Sequence, residues 1–451
     1  MSKQKIQLSD HFDYSRLLRF VLPCIGTMLF TSIYGIVDGL CVSNFVGKTA
    51  FAAVNLIMPL PMLLGTIGFM LGTGGSAIVG ITLGEGDQKK ADRYFTLFLL
   101  AALVSVSVLA VLGIVFLRPI AVLLGAKGEL LDYAVRYGRI LMVSLPTFAL
   151  QNMFQSFFVT AEKPHLGFWF TVGAGCTNMV LDVLMVGIWG WGVEGAAIAT
   201  FISQLVGGVL PVFYFIDRSN SSRLHLCKTS FYSKVLRDAC INGSSELMTN
   251  LSMSLVNILY NYQLLRLAGE NGVAAYGVIM YAAFLFVAVF VGYAVGSAPI
   301  VSFHYGARNH AEVHNLYRKS LRLIAVVAVT LTLASMFIIP CVARIFVGYD
   351  AELLALTSRA FRLYALSFLI MGFNVYASSF FTALGDGVTS ALISFLRTLL
   401  FQLLALIFLP MVLGIEGVWL AVTAAEAGAL CVTGLMFITK DKVFHYRKAS
   451  C

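Results

Sequence analysis

The sequence predicts an all-α integral membrane protein whose twelve transmembrane helices form two six-helix lobes related by a parallel repeat. An apolar composition, long uncharged segments and an internal repeat support this fold class. Of 451 residues, 59% are hydrophobic and 12% are charged, about half the charged fraction of a soluble globular protein. Segments such as 95–117 and 323–343 contain no charged residue, and about 20 apolar residues in helical form cross a bilayer.

Apolar runs of this kind predict each span in order. The runs are continuous rather than alternating, which excludes membrane-spanning β-strands. The twelve predicted spans begin near residues 16, 49, 94, 132, 166, 193, 236, 272, 321, 360, 388 and 416. The predicted organisation is an N-terminal arm (1–15), an N-lobe of helices 1–6 (16–216), an inter-lobe linker (217–235), a C-lobe of helices 7–12 (236–439) and a tail (440–451).

An internal repeat at an offset of 222 residues relates the two predicted lobes. GTGGSAIVGITLG (72–84) aligns with AVGSAPIVSFHYG (294–306), and GVEG (192–195) aligns with GIEG (414–417). The offset also superposes Asn152 on Asn374. Because each copy contains six spans, both insert with the same orientation. This arrangement is typical of transporters with parallel repeats and a substrate path between the halves.

The net charge of +9 is a topology signal rather than a sign of nucleic-acid binding. Most of the 31 Lys and Arg residues lie in the arm, the even-to-odd connections and the tail when the N-terminus is cytoplasmic. This positive-inside pattern places both termini in the cytoplasm. The first apolar segment is long enough to span, so no cleavable signal peptide is expected. The eight cysteines form no CxxC motif, and neither disulfides nor structural zinc are expected.

Two acidic residues lie inside predicted spans, where polar groups are costly and usually mark function. Tyr34 precedes Asp38 by four residues, and Asn178 precedes Asp182 by four, so each pair shares a helix face. Thr200 falls on the sixth helix. Two neighbouring carboxylates titrate as a coupled pair and can load and release a proton.

The repeat shows that this acidic pair belongs to the first half alone. The offset places Tyr260 opposite Asp38 and Leu404 opposite Asp182. A polar pair kept only for structure would have less reason to be one-sided. The sequence therefore predicts a functional site in the N-lobe.

Three polar residues of the C-lobe are candidates for substrate contact or gating. Glu246 lies near the start of the seventh span, where it either contacts substrate or reaches the membrane interface. Arg397 lies well inside span eleven, where either an ion pair with Glu426 or a gating role fits. Asn374 is the repeat counterpart of Asn152.

Several of these motifs resemble the multidrug and toxic compound extrusion (MATE) family over about residues 15–440. The resemblance rests on the segment containing Pro23 and Asp38, on GTGGS with LGEGD (83–87), and on the GVEG and GIEG blocks. Six residues together resemble the N-lobe cation site of the branch related to DNA-damage-inducible protein F: Tyr34, Asp38, Asn152, Asn178, Asp182 and Thr200.

The resemblance implies a secondary active transporter of the bacterial inner membrane that works by alternating access. It would exchange organic cations or other amphipathic drugs for protons or sodium ions. The implied partners are these small molecules and membrane lipid, without nucleic acid, and the implied functional unit is a monomer. No cofactor is implied, and no metal beyond sodium as the alternative coupling ion at the six N-lobe residues.

The C-lobe departs from two other patterns of the family. Another prokaryotic branch has acidic residues in the middle of helices seven and ten. Here Glu246 lies near the start of helix seven and the centre of helix ten has no acid, so a cation site of that kind is not expected. Ser245 replaces a proline that opens helix seven in many members, which removes the usual cause of a bend.

Two other functions fit the sequence less well than a transporter. A lipid-linked oligosaccharide flippase of the wider superfamily is the alternative, but a pyrophosphate group favours more cationic residues than Arg397 alone. An integral-membrane enzyme needs clustered catalytic groups. The chain has no DxD, HxxxD or HExxH arrangement, and HAEVH (310–314) lacks acidic partners in sequence. The protein is therefore not expected to be an enzyme.

Overall fold

The computed structural model describes residues 6–348 and 350–446, in which all regular secondary structure is helical. The helices of the first half are α1 Tyr14–Phe45, α2 Lys48–Ile57, α3 Pro59–Gly84, α4 Gln88–Leu123, α5 Glu129–Thr160, α6 Pro164–Asp182, α7 Gly192–Gly208 and α8 Leu210–Ile216. Those of the second half are α9 Ser233–Asn242, α10 Ser244–Gly306, α11 His310–Val347, α12 Ala351–Ala365, α13 Phe368–Ala383, α14 Gly387–Phe395, α15 Phe401–Leu413, α16 Ile415–Thr439 and α17 Asp441–Phe444.

These helices account for the twelve predicted membrane crossings. Within the described residues, nine helical stretches are long and apolar enough to span a bilayer, and α12 with α13, bent by 47°, forms a tenth. Helix α10 has 63 residues and folds back at Gly269, where φ is 59° and ψ is −150°, so it contains two crossings. Helix α5, with 32 residues, packs between α3, α4 and α7. The prediction of a twelve-helix membrane fold is confirmed.

The outer surface of the bundle is apolar, as contact with lipid requires. Val104, Val108, Val111 and Val115 of α4 are all exposed. Their spacing of three or four residues places them on one face of the helix. This face is turned away from the protein core and towards the hydrocarbon of the membrane.

The two halves meet around a pseudo-twofold axis at one end of the bundle. We call this end, which carries residues 6–13, the connector 217–232 and residues 440–446, the linker end. A Cβ atom on Gly84 would overlap the carbonyl oxygen of Phe303, and a Cβ atom on Gly306 would overlap the carbonyl oxygen of Ile81. Both pairs are related by the 222-residue offset. The repeat seen in the sequence is therefore a symmetric helix crossing, closed by glycines, between α3 and α10.

The seventh span is interrupted although Ser245 and not a proline stands at its start. Helix α9 ends at Asn242, α10 begins at Ser244, and Gly243 lies between them. A Cβ atom on Gly243 would overlap the carbonyl oxygen of Met70 on α3. Close packing against the first half, rather than a proline, accompanies this break.

Two spans that the sequence suggests to be continuous contain a turn of π-helix. One covers Val183–Ile188, directly after Asp182, and the other covers Leu396–Leu400 and contains Arg397. π-Helical turns inside α-helices are rare and occur frequently at functional sites. Each of these two turns lies beside one of the charged residues singled out from the sequence.

Candidate functional site

Two facing helices of the first half carry the acidic site. Tyr34 and Asp38 lie one turn apart on α1, and Asn178 and Asp182 lie one turn apart at the end of α6. Asp182 is fully buried, Asn178 is 2% exposed and Asp38 is half-buried. Because α1 packs along α6, the two polar pairs lie on neighbouring helices inside the bundle.

A glycine allows α1 and α6 to approach closely at this point. A Cβ atom on Gly175 would lie 2.5 Å from Cε1 of Phe30 and 3.1 Å from Cδ1 of Tyr34. A larger residue at position 175 would push the helices apart, because protein interiors are close-packed. The close approach brings the carboxyl groups of Asp38 and Asp182 into direct electrostatic interaction.

The buried polar atoms of this site have few hydrogen-bond partners. Apart from the contact that the two carboxyl groups make with each other, Oδ1 of Asp38, both carboxyl oxygens of Asp182 and both amide atoms of Asn178 are buried without a partner among the described residues. An unsatisfied buried polar atom costs about 1–3 kcal/mol, and such atoms call for a specific explanation in a native protein. The explanation that fits these atoms is a group that binds here and supplies the missing contacts.

Of the other residues predicted from the sequence, Tyr34 interacts with the acidic pair, whereas Asn152 and Thr200 have no hydrogen bond to it within the described part of the chain. Tyr34 interacts electrostatically with Asp38. Asn152 on α5 is buried, and its Nδ2 has no partner in the described part of the chain. Thr200 on α7 donates its hydroxyl proton to the carbonyl of Ala196, 3.0 Å away. No hydrogen bond between described residues joins Asn152 or Thr200 to either carboxylate.

Sequence reasoning missed two residues near the acidic pair. Tyr137 on α5 is 1% exposed and interacts electrostatically with both Asp38 and Asp182. Cys41, one turn beyond Asp38 on α1, also interacts with both. The spacing of Cys41 on α1 could have indicated its position, but nothing in the sequence indicates that α5 places Tyr137 against α1 and α6.

Four polar residues of the second half form a satisfied network: Arg397, Glu426, Asn374 and Thr433. Nη1 of Arg397 lies 3.4 Å from Oε1 of Glu426, which is the ion pair considered from the sequence. Nδ2 of Asn374 donates to Oε2 of Glu426 at 2.7 Å and to its backbone carbonyl at 2.9 Å. Thr433 donates to Oδ1 of Asn374 at 2.8 Å. Asn374 is therefore fully engaged, whereas Nδ2 of its repeat counterpart Asn152 has no partner.

Glu246 is associated with this network from the side of α10. It lies in the first turn of α10, is half-buried, and interacts electrostatically with Arg397. No hydrogen bond of its side chain is found among the described residues. Arg397 therefore interacts with two carboxylates, and its charge is compensated within the second half.

The N-lobe site has the chemistry of a small-cation site. Its donor atoms are carboxyl and amide oxygens, the type of ligand that hard cations take, and its paired carboxyl groups can also hold a proton. The described residues contain no group of three or more His, Cys, Asp or Glu side chains able to hold a metal ion. The site therefore fits a proton or one weakly held hard cation better than a transition metal.

Known proteins resemble this chain along nearly its whole length. The sequence profile of the MatE family matches residues 23–184 and 247–407, one segment in each half of the repeat. The Multidrug export protein MepA of Staphylococcus saprophyticus is 20% identical over 436 residues, covering 95% of both chains. MepA of Staphylococcus haemolyticus is 21% identical and covers 97% of this chain and 95% of its own.

Solved structures share the fold. An outward-facing multidrug resistance MATE family transporter of the MOP superfamily superposes with a TM-score of 0.92 at 23% identity, covering 99% of both chains. A MOP superfamily transporter from Pyrococcus furiosus, described as having a binding pocket of reversed polarity, has a TM-score of 0.89 at 23% identity and covers 98% of this chain and 99% of its own. Because the family profile covers more than half of the sequence, this chain belongs to the MatE family and is a multi-pass membrane transporter rather than an enzyme.

Proposed function

We propose that this protein is a multidrug efflux transporter that exchanges organic cations or amphipathic drugs for protons or sodium ions. The cluster of buried, unpartnered polar atoms at Asp38, Asn178 and Asp182 carries the proposal. The polar cluster of Arg397, Asn374 and Glu426 in the second half, in contrast, is satisfied by its own ion pair and hydrogen bonds. The first half therefore has the free ligands for a coupling ion. The names of the staphylococcal relatives support drug export.

Each residue of the site has a distinct role in this proposal. Asp38 and Asp182 hold the coupling proton or sodium ion between them, and Asn178 contributes its amide oxygen. Tyr34 and Tyr137 interact with these carboxyl groups and position them. Asn152 and Thr200 are assigned to the site from the sequence resemblance. This division of roles follows the N-lobe site of the branch related to DNA-damage-inducible protein F.

Coupling requires that the ion and the drug favour different conformations, because a ligand with equal affinity for two states shifts neither. In alternating access, the halves separate at one end of the bundle while they close at the other. Closure at the linker end, through the glycine crossing of α3 and α10, is one of these two states. Ion binding between α1 and α6 changes the packing of these helices and so shifts the equilibrium between the two conformational states.

The ion gradient sets how much work the exchange can perform. Each net charge that crosses a potential of about 150 mV contributes roughly 3.5 kcal/mol, equivalent to a concentration ratio of about 300. Exchange of one monovalent cation for one proton moves no net charge, so only the pH difference would drive it. The stoichiometry therefore decides which component of the gradient matters.

The proposed setting is the bacterial inner membrane, with both termini in the cytoplasm and a monomer in lipid as the functional unit. The positive-inside pattern of the connections supports this orientation, and it places the linker end on the cytoplasmic side. Glu246 is the half-buried acid that remains for contact with a cationic drug. Arg397, paired with Glu426, then sets the charge beside Glu246, and Asn374 holds the Glu426 carboxylate in place.

A flippase for a lipid-linked oligosaccharide is the less favoured function. A pyrophosphate group requires cationic side chains that are free to bind it. Arg397 is already paired with Glu426, and Glu246 is close by. This local charge balance disfavours an anionic substrate.

The proposal is tested in liposomes that contain a fluorescent organic cation. An inward proton gradient and an inward sodium gradient are imposed separately on the wild type, Asp38→Asn and Asp182→Asn. The matched control is Asp132→Asn, which alters an exposed acid in the first turn of α5. We expect one gradient to drive efflux in the wild type and control, with at least a tenfold loss in the other two variants. Efflux that ignores both gradients would refute the coupling.

A further inference from the structure

The chain that precedes α1 is bound by the opposite half of the protein. Residues 6–13 are the described part of the N-terminal arm that precedes α1, and they lead into α1 of the first half. From here on, the arm means these residues. The backbone N–H of Phe12 nevertheless donates to Oε1 of Glu312 on α11 at 2.9 Å, and the carbonyl of Phe12 accepts from Nζ of Lys319 at 2.7 Å. The Phe12 ring is fully buried. Both polar groups of the Phe12 backbone are therefore satisfied by the second half.

Glu312 is a buried carboxylate that receives the arm. Its side chain is 7% exposed, and its Oε2 lies 2.6 Å from Nδ1 of His11. Its Oε1 also accepts a hydrogen bond from Asn315 at 2.8 Å. The repeat places Lys90 at the corresponding position of the first half, so this receptor exists only in the half that faces the arm.

The beginning of the arm is anchored on the first half. The backbone N–H of Leu8 donates to Oε1 of Glu162, at the turn between α5 and α6, at 2.9 Å. The same oxygen accepts from Nη1 of Arg223 in the connector at 2.5 Å. The Arg223 guanidinium lies 4.9 Å from the ring centroid of Phe303 on α10. The arm and the connector thus meet on Glu162, and both reach across to the second half.

The bridging segments are packed into the protein core as well as hydrogen-bonded. Leu8 and Leu224 are fully buried, as is Phe12. The rings of Phe12 and His304 are arranged edge to face, with centroids 6.5 Å apart. Exposure of these apolar side chains to water is costly. Their burial favours the arrangement in which the two halves are closed at the linker end.

We propose that the arm is a latch that holds the linker end closed, with Glu312 as its receptor. This inference rests on the alternating access of the proposed function. Opening of this end separates the glycine crossing of α3 and α10, and α1 moves with the first half while Glu312 moves with the second. The contacts of Phe12 and His11 to Glu312 must then break. The strength of the latch sets the population of the open state and hence the rate at which drug enters from this side.

A cysteine at the crossing reports on opening without any transport assay. Ser302 is fully buried, and a Cβ atom on Gly80 of the other half would overlap its Oγ. We would measure the rate at which a maleimide modifies the Ser302→Cys variant in lipid nanodiscs. Mass spectrometry of the peptide that contains position 302 separates this signal from the native cysteines. Cysteine has the shape of serine with a larger terminal atom, so the Ser302→Cys parent, with the latch intact, supplies the baseline rate.

Glu312→Ala in this background removes the receptor. We expect modification of the cysteine at position 302 to become about ten- to a hundredfold faster, because each hydrogen bond to a charged group contributes enough energy for about a tenfold change in an equilibrium. Glu85→Ala is the matched control, since Glu85 is an exposed acid at the same end whose side chain has no hydrogen bond among the described residues. Its rate should equal that of the parent.

A second variant covers the case in which Glu312→Ala does not fold. His11→Ala combined with Lys319→Met removes two contacts of the latch at partly exposed side chains and leaves the buried carboxylate bonded to Asn315 and Phe12. We expect about a tenfold faster modification. An unchanged rate in a folded variant would overturn the latch. Because this readout needs no gradient, that result would leave gradient-driven efflux intact, whereas absence of efflux in the wild type would count against the proposed function alone.

Discussion

Removal of the Glu426 carboxylate should strongly destabilise the second half. Glu426 is 2% exposed and Arg397 is 15% exposed at the side chain, and their charged atoms are 3.4 Å apart. Glu426→Ala leaves the guanidinium without its buried partner and frees Nδ2 of Asn374 from its bond of 2.7 Å. Removing one partner of a buried ion pair costs about 3–5 kcal/mol. We expect a loss of this size in the free energy of unfolding.

A double-mutant cycle separates the interaction energy of the Arg397–Glu426 pair from a general loss of packing. Arg397→Met and Glu426→Leu should each cost several kcal/mol. Arg397→Met leaves the buried Glu426 carboxylate without its cation, and Glu426→Leu leaves Arg397 with only the half-buried Glu246. The double variant should lie within about 1–2 kcal/mol of the wild type, because well-packed apolar residues often replace a buried ion pair without loss. The difference between the double variant and the summed single variants is the coupling energy of the pair.

Reversible unfolding in mixed detergent and SDS micelles measures these free energies. The matched control is Glu416→Ala, which breaks an Arg359–Glu416 pair that is 72% and 40% exposed and should cost less than about 1 kcal/mol. A loss below about 1 kcal/mol for Glu426→Ala would refute the reasoning. So would a double variant as unstable as the sum of the two single ones, because the pair would then carry no mutual stabilisation.

Three further predictions concern transport. Gly84→Val should lower efflux at least tenfold, because its Cβ overlaps the carbonyl oxygen of Phe303 and prevents closure of the linker end. The control Gly434→Val, where a Cβ meets nothing within 4 Å, should leave efflux unchanged. Equal efflux rates in the two variants would contradict the role of the crossing. Asn178→Ala should weaken the apparent affinity for the coupling ion about tenfold, or 1.4 kcal/mol, in efflux measured against ion concentration; an unaltered affinity would exclude Asn178 as a ligand. Tyr137→Phe should weaken the same affinity a few-fold without changing the amount of folded protein, and a normal ion dependence would separate Tyr137 from the site.

Local composition was sufficient to predict the spans, the repeat and the acidic pair. An apolar run of about 20 residues forms a helix in a membrane whatever its neighbours are, because the backbone must satisfy its own hydrogen bonds there. A carboxylate in such a run is conspicuous for the same reason. The twelve crossings, the offset that relates Gly84 to Gly306, and the prominence of Asp38 and Asp182 could therefore be read from the sequence.

Features that depend on contacts between helices distant in sequence were decided by the packing of those helices. The pattern of residues did not indicate the break at Gly243, the π-helical turn after Asp182, or the approach of Tyr137 to the acidic pair. The repeat superposes Asn152 on Asn374, but it did not indicate that Nδ2 is engaged in Asn374 and has no partner in Asn152 among the described residues.

The physical reason lies in hydrogen-bond satisfaction. Whether a buried polar atom is free to bind an ion depends on which side chains of other helices reach it, and those helices can be more than a hundred residues away in sequence. The sequence by itself determined where polar groups enter the membrane. Only the tertiary structure decided that the atoms of Asp38, Asn178 and Asp182 remain available, whereas Arg397, Asn374 and Glu426 are engaged with one another. It also decided that Glu312 holds the arm across the closed linker end.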